Sequence, residues 1–180
     1  MTVIDESLTA GITPEEYEAG VEEVIREWGM GLTEFQVKRR EVLTGTDGEY
    51  EIDVSARFEA LGVNFLVLAE CKHYKNPIKR EVVQILHDRL RSVGGHKGII
   101  FATSSFQSGA IEYAQKNGIA LIHFADARTT IIAKRDGAIP ELPVGMSPYV
   151  GWLVQWEDTH EVYVSLTDER RSLVIDLFKR

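Results

Sequence analysis

The chain has 180 residues, 44% of them hydrophobic and 27% charged, with a formal net charge of −8. This is the composition of one globular domain with a sizeable core, and the acidic total argues against binding nucleic acid over the whole surface. No stretch approaches 18 uncharged apolar residues, MTVIDESLTAG lacks the basic start and apolar run of a secretion signal, and a single cysteine excludes an internal disulfide, so a cytoplasmic protein without a membrane span is expected.

Thr13-Pro14-Glu15-Glu16 opens the first element. Thr13 can cap, Pro14 suits the first helical position and Glu16 completes a capping box. Tyr17, Val21, Val24, Ile25 and Trp28 follow at helical spacing to a stop at Gly29, which predicts a helix over 14–28. Phe35 and Val37 then alternate with polar residues up to Val42, a strand, and TGTDGE (44–49) is turn chemistry. Tyr50, Ile52, Val54, Ala56 and Phe58 make a second strand of period two, and a turn at 60–64 returns the chain into a third over 64–72. Val82, Val83, Ile85, Leu86, Leu90 and Val93 predict a helix over 79–93, ended by Gly94-Gly95. A strand at 97–103, a helix capped by Ser108 and closed by Asn117-Gly118, and a strand at 119–124 complete an α/β order with a mixed sheet and helices on both faces. Beyond residue 136, DGAIPELPVGMSP is a connector, WLVQWE and EVYVSL a hairpin, and TDERRSLVIDLFKR a short helix. The expected division is 1–136 as the main domain and 137–180 as a C-terminal extension, a candidate dimerisation or interaction element.

Charge is unevenly spread. Residues 1–30 hold eight acids and one base, whereas residues 70–100 hold seven bases and three acids. The basic stretch contains Lys75, Lys79 and Arg80, candidates for a phosphate-facing surface; a solvated helix face explains the same charges.

The apolar run Leu66–Ala69 ends in Glu70, Cys71 and Lys72 while still in strand register. Alternation puts Glu70 and Lys72 on one face and Cys71 on the other, and puts Asp53 opposite to Ile52 and Val54. Antiparallel pairing can bring Asp53 beside Glu70. Two adjacent carboxylates repel unless a cation lies between them, and hard oxygen ligands favour Mg²⁺ or Mn²⁺. A neighbouring lysine would then orient or deprotonate a water. The plainer reading is a cross-strand ion pair on an exposed sheet end.

The wider pattern separates these readings. G-E-Y-E-I-D-V-S (48–55) followed by A-E-C-K-H-Y (69–74) resembles the PD-(D/E)XK nuclease signature. Y-E-A-G-V-E-E-V-I-R-E-W-G (17–29) and K-G-I-I-F-A-T-S-S-F-Q-S-G-A-I-E-Y-A-Q-K-N-G-I-A-L-I (97–122) are similar to the first helix and the later strand–helix–strand of its Mrr-like restriction endonuclease branch. The resemblance implies a restriction-endonuclease-like αβββαβ core, hydrolysis of DNA with Mg²⁺ or Mn²⁺, and an endonuclease ahead of an exonuclease. It also implies Asp53 and Glu70 as metal ligands, Lys72 as the catalytic lysine, and Glu18 as a helix carboxylate near the metal, with Glu22 one turn away as its substitute. Gln84 matches a glutamine on the helix after the lysine. Gly48-Glu49 departs from the family pattern. With no target-reading segment expected ahead of the motif, a separate partner is expected to supply specificity. A protein that kept the fold to bind or regulate, without cleaving, is the alternative.

Overall fold

The computed structural model describes residues 12–126, 149–157 and 160–166, with 125–126 and the last two stretches placed as backbone. Helix α1 (Pro14–Trp28) begins with the expected capping box: the Thr13 hydroxyl accepts from the Glu16 amide, and the Glu16 carboxylate accepts from the Thr13 amide. Three antiparallel strands follow: β1 (Thr33–Thr44), β2 (Glu49–Ala60) and β3 (Val63–Lys72). They are longer than expected because their polar ends continue the hydrogen-bond ladder, which hydropathy does not report. Only Leu61 and Gly62 separate β2 from β3, both at positive φ as a two-residue hairpin demands.

Helix α2 (Arg80–Ser92) then crosses to β4 (Lys97–Ala102), and α3 (Ser108–Lys116) to β5 (Ala120–Asp126), giving two parallel pairings. Gly94 at φ +69° lets the chain leave α2 in a left-handed turn that a side chain would resist. Strand β6 (Tyr149–Glu157) pairs antiparallel with β5 and β7 (His160–Leu166) antiparallel with β6, so the seven strands lie in chain order across one mixed sheet. The expected αβββαβ order is observed, as is the late hairpin. The proline-rich connector, the C-terminal helix and the side chains of Trp152 and Trp156 lie outside the described residues.

Two cores hold the layers together. Tyr17, Val21, Val24 and Ile25 of α1 pack on Val54, Ala56, Val67, Ala69, Phe101 and Phe124. Val83, Leu86 and Leu90 of α2 and Ala110, Ile111 and Ala114 of α3 pack on the other face with Ile52, Leu68, Ile100 and Leu121. Each fully buried Val, Ile or Leu contributes roughly 1.5–3 kcal/mol. Among the described residues no helix is long and apolar enough to cross a membrane.

Two expectations are corrected. The cap of α3 is Gln107, without a side-chain hydrogen bond, and Ser108 is already helical. The Ile78–Phe106 bridge and the Gln107 amide donating to the Ile78 carbonyl fix the preceding chain as extended, so the helix turns at Gln107. Second, Ile52 and Val54 do not share a face: Ile52 lies in the α2–α3 core and Val54 in the α1 core. Strict alternation is interrupted at Asp53.

Candidate active site

Strand β3 ends between the two helical layers. Its ladder with β2 runs from Ala60–Val63 to Val54–Ala69 and stops there, one step before Asp53 and Glu70 would pair. Beyond that point the Asp53 carboxylate takes over: Oδ2 accepts from the Cys71 amide at 2.7 Å. The side chain thus satisfies a donor left over where the strands part. On the other side, β3 stays paired with β4, Glu70 level with Ile100 and Lys72 with Ala102. The charged residues therefore stand at the carboxyl ends of parallel strands, where open α/β sheets place their ligand sites.

Glu70 is buried, yet it carries two ion pairs. Oε1 meets Lys72 Nζ at 2.5 Å and Oε2 meets Arg89 Nη1 at 3.1 Å. Arg89 arrives from α2, which shows that Glu70 and Lys72 face that helix. Cys71 faces the other way and packs against the α1 core. Burial pushes its thiol well up, and Asp53 and Glu18 add to the effect.

The electrostatics single out Asp53. Burial first, and then the Glu70 carboxylate, raise its pKa from 3.8 to about 6, against the Cys71 hydrogen bond and the Lys72 charge, which lower it; Glu18 adds a further upward push. Burial alone would lower the Lys72 ammonium, but the charge and hydrogen bond of Glu70 outweigh it, so its pKa is raised. A half-buried carboxylate lifted by a second one is short of positive charge. Two hard oxygen donors of this kind, with Asp53 Oδ1 lacking a hydrogen bond among the described residues, suit a hard divalent cation.

Glu18 acts on Asp53, while Glu22 is held by Arg26 at 2.6 Å and Arg39 at 2.9 Å. Glu18 is itself paired: Arg40 Nε lies 3.0 Å from its Oε2. Among the described residues no three His, Cys, Asp or Glu side chains converge as a ready metal cage. Glu70 is engaged by Lys72 and Arg89, and Glu18 by Arg40 through one of its oxygens.

Asp53, Glu70 and Lys72 are thus brought together, with Glu18 near them. Gln84 is half-buried on α2 and its side chain makes no hydrogen bond among the described residues. Lys75, Lys79 and Arg80 are exposed along the loop and start of α2 that follow Lys72. That loop is braced from β4: Thr103 Oγ1 donates to the Tyr74 carbonyl and Ser104 Oγ to the Asn76 carbonyl. His73, adjacent to the motif, turns inward and tilts against Tyr17 with ring centres 5.6 Å apart. His87 and His96 have local partners, Tyr113 and the Leu66 amide. The sequence reading did not assign Arg40 or Arg89 to the site. Both lie about 20 residues from their partners in the chain, and no local pattern links them.

A restriction endonuclease family model, Mrr_cat, matches residues 9–129, more than half of the chain, and the chain belongs to that family. No curated protein matches it. Among solved structures it is similar to a protein of unknown function, AF1548, with 28% identity over 58% of this chain and 56% of that one and a TM-score of 0.48. It is also similar to the MspJI restriction endonuclease, solved in complex with a 27-mer oligonucleotide, at 20% identity over 59% and 25% of the two chains with a TM-score of 0.43. A third is the DNA modification-dependent restriction endonuclease AspBHI, at 19% identity over 67% and 35% with a TM-score of 0.34. The chain spans between 25% and 56% of the length of these structures. It carries a restriction-endonuclease-like nuclease domain.

Proposed function

We propose that the protein hydrolyses DNA phosphodiester bonds with Mg²⁺ or Mn²⁺, as an endonuclease acting in the cytoplasm. The observation that carries this reading is the meeting of Asp53, Glu70 and Lys72 where the β2–β3 ladder opens, with Asp53 lifted to about 6 by burial and by the Glu70 carboxylate. Asp53 and Glu70, joined by Glu18, would hold the ion. When bound, such an ion polarises the phosphoryl group and lowers the pKa of a water. Lys72, kept as an ammonium by Glu70, orients the attacking water and offsets charge on the phosphate rather than accepting a proton. Gln84, on the helix over the site, holds the lysine or a phosphate oxygen. Lys75, Lys79 and Arg80 contact the DNA backbone. Residues 1–136 form the nuclease part, and 137–180 supply a homodimer or partner contact, with specificity coming from a separate protein.

One observation favours the alternative, a DNA-binding or regulatory protein without cleavage: both Glu70 oxygens are already held by cations. Plasmid and linear DNA incubated with Mg²⁺, Mn²⁺ or Ca²⁺ separate the two. Cleavage is expected with Mg²⁺ or Mn²⁺ and none with Ca²⁺, and Mn²⁺ should raise the melting temperature of wild type but not of Asp53→Asn. Absent cleavage together with a metal shift that survives in Asp53→Asn would refute the assignment. For the DNA surface, Lys79→Ala with Arg80→Ala should flatten the dependence of log affinity on log salt by about two units; an unchanged slope moves the DNA elsewhere.

A further inference from the structure

Arg40 has a backbone conformation that its position does not invite. It lies within β1 at φ +47°, the left-handed region that arginine resists. The β1–β2 register places it opposite Asp53, at a missing rung between the pairs Arg39–Val54 and Glu41–Ile52. Side-chain alternation breaks in both strands at this level. Arg39 and Arg40 are consecutive, yet both reach α1: Arg39 to Glu22 at 2.9 Å, Arg40 to Glu18 at 3.0 Å and Glu15 at 3.4 Å. Glu41 returns to the other face, where Ser55 and Arg57 donate to it at 2.6 and 2.7 Å. Across the ladder, Ile52 and Val54 part to different cores on either side of Asp53. Backbone strain of this kind persists only where the surroundings over-determine it, and it gathers at functional sites.

We propose that Arg40 is a positioning residue for the metal site: its left-handed backbone breaks the strand's alternation at the level of Asp53, and its guanidinium fixes one oxygen of the neighbouring Glu18 carboxylate. The proposal rests on the reading above, in which Asp53, Glu70 and Glu18 take a divalent ion. Glu18 is partly covered on α1, and without a partner its carboxylate would sample several rotamers. Arg40 Nε fixes Oε2 and leaves Oε1 without a hydrogen bond among the described residues. A carboxylate held by one oxygen and open at the other is the arrangement by which outer hydrogen bonds orient a metal ligand. Arg40 also reaches Glu15, so the clamp is anchored to the first turn of α1 as well as to Glu18.

Calorimetric titration of the full chain with Mn²⁺ alone, without DNA, tests this. Arg40→Gly removes the guanidinium while accepting the left-handed backbone, and Arg40→Lys keeps a charge that reaches Glu18 without the guanidinium fork. Mn²⁺ affinity should fall in the order wild type, Arg40→Lys, Arg40→Gly, the last weaker by about 10–100-fold, while the metal-free melting temperature of Arg40→Gly stays within a few degrees of wild type. Undiminished Mn²⁺ binding by folded Arg40→Gly overturns the proposal. Tighter binding also overturns it, because Arg40 would then compete with the ion for Glu18. Should the glycine variant not fold, Arg40→Asn takes its place with the same outcomes, since asparagine tolerates this backbone and is too short to reach Glu18. Asp53→Asn separates the two levels of the argument. If it loses Mn²⁺ while Arg40→Gly keeps it, only the role of Arg40 fails; if it binds Mn²⁺ like wild type, the metal reading fails and takes this proposal with it.

Discussion

On the α2 side of the sheet, Glu70 is 8% exposed at its side chain and each of its oxygens faces a cation. On the α1 side, Glu18 is 15% exposed and meets Arg40, whose side chain is 49% exposed. The two pairs look alike on paper, yet they do different things. A buried ion pair stabilises little in net terms, because desolvation consumes the attraction, but losing one partner leaves charge stranded. A rim pair adds little and costs little to lose. The α2 side therefore ties the site charges to the fold, whereas the α1 side can adjust them without endangering it.

The largest effect expected from this contrast is on catalysis. Lys72→Ala should lower cleavage by about 10²–10⁴-fold while leaving the protein folded, because Arg89 still compensates Glu70. Mn²⁺ affinity should hold or rise, since a competing positive charge has gone. An active Lys72→Ala enzyme would move the catalytic centre away from this strand.

Next comes stability. Glu70→Gln leaves Lys72 and Arg89 facing each other without a carboxylate and should cost about 3 kcal/mol. Glu18→Gln should cost less than about 1 kcal/mol. Denaturant melts of the two metal-free variants provide the comparison, and equal losses would erase the distinction between the faces.

The smallest effect concerns pH. The folded pKa of Asp53, about 6, lies above its ordinary 3.8, so the folded state holds this proton more tightly than the unfolded state. The Asp53 contribution should therefore lower metal-free stability as pH rises between those two values, the reverse of an ordinary paired carboxylate. Asp53→Asn should remove that slope and stabilise the metal-free protein near pH 8 by on the order of 1 kcal/mol, allowing for solvent screening of a half-buried group. Melting curves across pH, with and without Mn²⁺, measure it; a slope that persists in Asp53→Asn assigns the titration to another group.

Much of this molecule was legible in one dimension. Thr13 and Glu16 announce α1 because capping is a local interaction, and the approach of Asp53 to Glu70 follows from a short hairpin and a period of two. The period also misleads. It puts Ile52 and Val54 on one face, and they part to different cores opposite the left-handed backbone of Arg40. Arg89 escaped notice because a solvated helix face and a counter-ion for a buried glutamate have the same composition. Ser108 looked like a cap because serine favours that position, but the extended Ile78–Phe106 pairing set the start of α3 instead. In each case the missing information was a contact distant in sequence.

The order in which the parts occur along the chain carries one more consequence. Glu18, Arg40, Asp53, Glu70 and Lys72 all belong to α1 and the three antiparallel strands, joined by short turns, whereas Arg89 comes with the crossover helix that precedes β4. Hairpin contacts close quickly, while parallel pairing must first close a longer loop. On this basis the acidic cluster is expected to form before α2 docks, and α2 to bring Arg89 as it covers Glu70. Lys72 meets that charge from within β3, whereas its cover and its second counter-ion arrive together on one helix.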